Sequence, residues 1–180
     1  MVQSEATSSV APVIAIRQFH DEDLAALRPI FADGFSTVPE GSEAMVEAYI
    51  QSSFESDLGN IHATYNANGG NFWVATADLQ DGETPQVVGM VALEKKEDGE
   101  GELRRMSVKR EFRRFGVGKL LVSELEAWAK AHKYERISLS TGEIVTTAHA
   151  FYQALGYKKT GERKIDEESA FIVYDFVKQL

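Results

Sequence analysis

The 180-residue chain contains no cysteine, which excludes a disulfide framework, a cysteine zinc site and a covalent cysteine nucleophile. Histidine is scarce as well: His20, His62, His132 and His149 stand at no metal-ligand spacing, so no metal is expected. No window approaches the run of about eighteen apolar residues that a membrane helix needs. Positive charge is in deficit, with 19 Lys and Arg against 28 Asp and Glu for a net charge of −9. A surface of that sign repels phosphate backbones and anionic bilayers, so neither nucleic acid nor membrane is expected as a partner. The stretch from Met1 to Ala11 is small and polar, without a basic or apolar leader region. It reads as a flexible tail ahead of one domain over residues 12–180, in a protein expected to be cytoplasmic.

What is present is an ordinary globular composition, 43% apolar and 26% charged, without repeats; this length suits one domain with a full core. The chain is organised around Leu103 to Leu121, which reads as a strand, a short basic connection, a glycine-bearing turn and a helix. Val117, Leu120, Leu121, Leu125, Trp128 and Ala129 recur at helical spacing and give one apolar stripe. Gly116 and Gly118 open that helix, where the first backbone N–H groups lack partners and the dipole is positive. Phosphate oxygens bind there if the backbone can approach them. From Arg104 to Lys119 seven basic residues (104, 105, 109, 110, 113, 114 and 119) meet one acid, Glu111, for +6, so the rest of the chain sums to −15. Such an island points to a small polyanion.

Two phosphate motifs fail on these residues. A Walker loop needs glycine where Arg113 stands and Ser or Thr where Leu120 stands; a dinucleotide fingerprint needs glycine where Leu121 stands. A third pattern, Arg/Gln-x-x-Gly-x-Gly/Ala, is matched in full by Arg113-Arg114-Phe115-Gly116-Val117-Gly118. The residues alone also allow a glycine turn that only packs a helix against a sheet.

The elements around this turn follow from pattern. Val13 to Phe19 suits a strand, and Asp21 is placed to cap a helix carrying Leu24, Leu27, Ile30 and Phe31, which Pro29 would kink or divide. A second helix is expected from about Ser42 to Ser56, and a polar loop from Asp57 to Gly70. Residues 71–77 and 87–93 read as a hairpin, and a turn holding Asp98-Gly99 leads to the strand around Met106. Residues 136–141 form a strand after the central helix, so parallel pairing is expected. A short helix from Thr146 or Thr147 closes at Gly156, a strand begins at Tyr157, and residues 170–177 end the sheet.

This order, with its glycine motif, resembles the GCN5-related N-acetyltransferase (GNAT) superfamily over roughly residues 12–178. A second landmark, Ala148-x-x-x-Tyr152-x-x-x-Gly156-Tyr157, is similar to a family segment. The pieces Arg104-Arg105-Met106-Ser107-Val108 and Leu139-Ser140-Thr141-Gly142 look like the N-acetyltransferase-8-like branch, without that branch's long apolar segment. The resemblance implies a single-domain α/β fold, the mixed-sheet acyl-CoA N-acyltransferase fold with about seven strands and four helices. It implies acetyl-CoA as co-substrate, with the backbone of Met106, Ser107 and Val108 along the pantetheine. Arg113, Arg114, Phe115, Gly116, Val117, Gly118 and Lys119 would surround the pyrophosphate.

For the chemistry, the resemblance makes Tyr152 the general acid for the departing thiolate; the alternative is an aromatic that packs its helix beside Phe151. Glu102 resembles the family's base, or is an exposed turn carboxylate. Where some relatives carry a Glu and an Asn, this chain has Ser140 and Val145, and Glu143 is a nearby substitute. The acceptor, an amine of a small molecule or an exposed lysine, is expected between residues 35–49 and 161–169. The acidic remainder favours a cationic one such as a polyamine, lysine or amino sugar. A catalytically silent acyl-CoA sensor and an ATP-binding protein stand as alternatives, and a homodimer is left open.

Overall fold

The computed structural model describes residues 11–36, 40–41, 43–143, 145–164 and 172–180. In chain order it contains β1 (Val13–Gln18), α1 (Leu24–Asp33), α2 (Glu43–Glu55), the single-turn α3 (Ile61–Thr64), β2 (Asn71–Asp78), β3 (Gln86–Lys95), β4 (Glu100–Val108), α4 (Val117–Ala131), β5 (Arg136–Gly142), α5 (Thr146–Ala154), β6 (Lys158–Lys164) and β7 (Ile172–Gln179). The strands form one seven-stranded sheet in the order β1-β2-β3-β4-β5-β7-β6. Every neighbouring pair is antiparallel except β4 and β5, which run parallel with α4 as their crossover. The mixed sheet and the strand order through the glycine turn agree with the sequence pattern.

Alternate residues of the central strands feed two cores, because strand side chains point to opposite faces with period two. Trp73, Val91, Leu103 and Ile137 pack under Leu121 and Leu125 of α4, while Phe72, Val74, Met90 and Ala92 pack under Leu27, Ile30 and Ile50 of α1 and α2. Both faces of β2 and β3 are therefore covered.

Three local expectations change. The segment from Asp57 to Gly70 is not an open loop: it carries α3 and a 3-10 turn at Asn66–Asn68. Leu58, Ile61 and Tyr65 are buried there; these three apolar side chains, spaced at helical intervals, seat an otherwise polar stretch against the second core. Asp21 does not cap the first helix. It lies in the opening 3-10 turn Asp21–Asp23, and the carboxylate that reaches back to the His20 N–H belongs to Asp23, at 2.9 Å. Burial disfavours the ionised Asp23, yet paired bonds from Arg17 at 2.6 and 2.7 Å and the His20 bond outweigh it and hold the carboxyl below its ordinary range. Pro29 sits inside α1 without dividing it. The expected strand start at 170, and residues 165–169 of the expected acceptor region, lie outside the described residues, as do residues 1–10 of the tail.

Candidate active site

The site begins at the β3–β4 hairpin. Asp98 and Gly99 have φ of 52° and 70°, the two positive values of a type I′ turn, whose twist suits a tight hairpin. That turn fixes the register and sets Glu94 opposite Glu102. Two carboxylates in that position repel. Lys96 relieves the repulsion by bonding both, at 2.8 Å each, and Arg104 bonds Glu94 as well. Burial disfavours the Lys96 ammonium, but its bonds to Glu102 and Glu94 outweigh this and raise its pKa.

Further along β4 the ladder slips. Met90 pairs with Ser107 and Ala92 with Arg104, so Arg105 and Met106 together oppose Val91. This is a β-bulge, and Arg105 within it has a left-handed φ of 57°. The cost of that conformation in a long side chain is offset by its contacts. Arg105 grips Asp57 through two nitrogens and donates to the Tyr49 hydroxyl at 3.1 Å and the Ser53 hydroxyl at 3.0 Å. Its guanidinium also lies 5.2 Å from the centre of the Phe31 ring. Tyr65 donates to the same Asp57 carboxylate. The bulge is thereby tied to α2 and to the start of the α3 segment.

On its other side β4 pairs with β5 over three positions only, Glu100–Glu102 with Arg136–Ser138. Beyond them the strands part, and a cavity of about 680 Å³ opens between Leu103–Val108 on one wall and Leu139–Thr141 on the other. Backbone polar groups in that half of β4 face the cavity with no β5 partner in the ladder. At its far end stands Gly116, the N-cap of α4, with a φ of 73° that favours glycine. Gly118 answers a different need: a Cβ there would lie 3.2 Å from the Phe151 ring. The first turn of α4 therefore presents bare backbone N–H groups to the cavity.

Residues singled out from the sequence divide into three groups. Glu102, Met106, Ser107, Val108, Arg113, Gly116, Gly118, Lys119 and Tyr152 all line this cavity. Arg114 and Phe115 are exposed beside it, and Val117 is a core side chain. The basic island is less free than its charge count implied. Arg104 and Arg105 are taken by Glu94 and Asp57, and Arg113 donates to the backbone carbonyls of Val108 at 3.1 Å and Asp33 at 2.6 Å.

Tyr152 is 5% exposed and lines the cavity from α5. Burial pushes its phenol above the ordinary tyrosine value, so it stays protonated as a donor. Phe151, its neighbour, fills the space against Gly118; helical spacing sends the two rings to different tasks. The Asp57–Arg105 pair has no signature in the sequence, because partners 48 positions apart share no motif. Ser140, which stands where some relatives carry a Glu, donates to Asp175 of β7 at 2.5 Å. Among the described residues no cluster of metal ligands occurs, and no helix is long and apolar enough to cross a membrane.

Comparison with known proteins adds to this geometry. The chain is 36% identical over 123 residues to N-acetylaspartate synthetase of Danio rerio, an overlap of 67% of this chain and 42% of that one. It is 32% identical over 120 residues to human N-acetyltransferase 8, covering 63% and 50% respectively. It thus spans half or less of the length of these relatives. Among solved structures, the PaiA N-acetyltransferase of Thermoplasma acidophilum, determined in complex with coenzyme A, superposes with a TM-score of 0.75 over 93% of this chain and 99% of that one, at 22% identity. Residues 26–157, spanning the bulge, the glycine turn and Tyr152, match the family described as "Acetyltransferase (GNAT) family"; the chain belongs to that family.

Proposed function

We propose that the chain transfers the acetyl group of acetyl-CoA to a primary amine by direct attack in a ternary complex. One observation carries the reading: a single cavity joins the helix start at Gly116 to the unpaired half of β4 and to Tyr152. Each section fits one part of the co-substrate. The backbone N–H groups at the start of α4, with the positive end of the helix dipole, suit the pyrophosphate, and Lys119 lies beside them. Backbone groups of Met106 and Val108 suit an extended pantetheine amide, which would lie along β4 as an added strand. The left-handed turn at Arg105 re-aims the backbone where the thioester carbonyl would lie, so N–H groups there can polarise it.

Acetyl transfer also needs proton management. The C–S bond breaks with its electron pair on sulfur, and the buried, protonated Tyr152 hydroxyl is placed to supply a proton to that thiolate. Glu102 lines the same cavity, held by Lys96 at 2.8 Å. It takes a proton from the amine, directly or through water. The acceptor would enter where Phe31, Tyr49 and Glu102 line the cavity, and the reading leaves it at the level of a primary amine.

The test is thiol release from acetyl-CoA over spermidine, lysine and glucosamine, with competition of free CoA and of ATP against a fluorescent CoA analogue. Release with one of these amines, and displacement by CoA but not ATP, is expected. Tight CoA binding without thiol release for any amine would return the chain to an acyl-CoA sensor. Glu102→Gln should lower kcat/KM at neutral pH while CoA affinity stays intact, with the rate recovering toward alkaline pH; superimposable profiles would remove Glu102 from the chemistry.

A further inference from the structure

The amine nitrogen has more protons to lose than one carboxylate conveniently takes. A primary amine with a pKa near that of lysine, about 10.4, arrives at neutral pH as an ammonium. One proton must leave before the lone pair attacks the thioester carbon. After the C–N bond forms, the nitrogen is cationic again and a second proton must leave before the amide is complete. Sulfur takes one proton from Tyr152, which regains it from water, so each turnover releases one net proton to solvent. Glu102, already bonded to Lys96, stands on the β4 wall only.

The opposite wall carries a second device. In the β5–β7 ladder Ser140 lies directly across from Asp175, and the Ser140 hydroxyl donates to Asp175 Oδ1 at 2.5 Å. Ser140 lines the main cavity. It also lines a second cavity of about 560 Å³, together with Asp175, Lys96, Glu97, Glu100 and Glu102. Asp175 does not line the first cavity but is 32% exposed in the second. Ser140 therefore stands between the reacting space and a carboxylate in contact with water.

We propose, building on the acetyl-transfer reading, that Ser140 and Asp175 form a proton relay on the β5 wall of the cavity. The N–H proton of the adduct passes to Ser140 Oγ as the Ser140 hydroxyl proton passes to Asp175 Oδ1, and Asp175 then releases it into the second cavity. A hydroxyl donates once and accepts twice. Ser140 gives its hydrogen to Asp175 and accepts one N–H from Arg163 at 3.3 Å, which leaves one lone pair for the amine. Among the described residues, the charged groups that face Asp175 are Arg163 from β6, with Nε at 3.5 Å, Glu100 and Glu102 from β4, and Lys96 and Glu97 from the β3–β4 turn. Arg163 Nε lies 3.5 Å from Asp175 Oδ2, an ion pair loose enough to leave the carboxylate open to the second cavity. Ser140 meets the substrate, and Asp175 acts through it as a positioning residue.

The experiment measures kcat/KM against pH for wild type, Ser140→Ala, Asp175→Asn, the double variant and Ser140→Thr, with whichever of spermidine, lysine and glucosamine gives thiol release. CoA-induced thermal stabilisation is recorded for each protein as a check on folding and cofactor binding. Ser140→Ala and Asp175→Asn should each lose about 10²-fold at neutral pH, the lower range for a lost proton acceptor, and recover as pH rises. The double variant should lose no more than either single one, because the two residues act as a unit. Ser140→Thr, which keeps the hydroxyl, should follow the wild-type profile. Profiles that superimpose on wild type, or losses that multiply in the double variant, would overturn the relay and leave acetyl transfer standing. Wild-type protein that releases no thiol with any of the three amines would overturn acetyl transfer and the relay with it.

Discussion

At the α4 end of the cleft two glycines bare the backbone amides beside Lys119, whereas along β4 and β5 the cavity meets side chains held in pairs. Gly116 turns the chain through a left-handed residue and Gly118 clears room for Phe151; Val117 between them faces the core rather than the cavity. At the other end Glu102 is held by Lys96, Arg105 by Asp57, and Ser140 by Asp175. A site made of backbone tolerates change except at its glycines. A buried ion pair such as Arg105–Asp57 fails when either partner goes, because the survivor is left charged and unpaired.

Breaking the backbone end should have the largest effect. Gly116→Asp forces a side chain into the left-handed region, and Gly118→Asp puts a Cβ 3.2 Å from the Phe151 ring and a carboxylate at the turn proposed to hold the phosphates. Each should abolish CoA-induced thermal stabilisation, which in wild type grows with the logarithm of ligand concentration. Full CoA affinity in either variant would end the distinction. Breaking the buried Arg105–Asp57 pair should instead lower stability before it weakens CoA binding. Arg105→Met leaves the Asp57 carboxylate uncompensated beside Tyr65, in a pair whose side chains are 7% and 9% exposed. Urea denaturation should show a loss of about 3–5 kcal/mol.

A smaller effect sharpens the same contrast. Burial raises the Asp57 pKa, but bonds from Arg105 and Tyr65 outweigh it and hold the carboxyl below its usual range. A depressed folded-state value stabilises the fold above the unfolded pKa of about 3.9, and that stabilisation is lost as pH falls through the folded value. Urea midpoints should therefore drop steeply below about pH 4. Asp57→Asn should be less stable than wild type at pH 7 and show a flatter acid limb. An unchanged limb would assign the acid sensitivity to other carboxylates such as Asp23.

The same division explains what could be read before the structure. The glycine turn, α4 and the Tyr152 segment are local patterns, each a few residues long, and hydrophobic spacing marked the strands around them. The cavity's side-chain end depends on register. Asp98-Gly99 sets Glu94 against Glu102, and the β5–β7 ladder sets Ser140 against Asp175; neither pairing shows in a linear pattern. The bulge at Arg105 was hidden for the same reason, since an alternating strand reads alike with or without an extra residue. Counting charges also misled locally, because two arginines of the basic island turn to acids that lie 10 and 48 positions away. The α3 segment carries a loop-like composition, in which Gly and Asn outnumber the three apolar residues that bury it.

Tyr152 joins the two ends, since it faces the same cavity as the glycine turn and the paired side chains. Replacing it with phenylalanine removes one oxygen and leaves the ring that packs 5.7 Å from Tyr157. The decisive measurement is turnover of acetyl-CoA with an accepted amine by wild type and Tyr152→Phe, alongside the CoA Kd of both. An unchanged Kd with kcat lowered by about 10²- to 10⁴-fold is expected of a lost general acid. Equal turnover in the two proteins would make Tyr152 a packing residue and contradict proton delivery from α5.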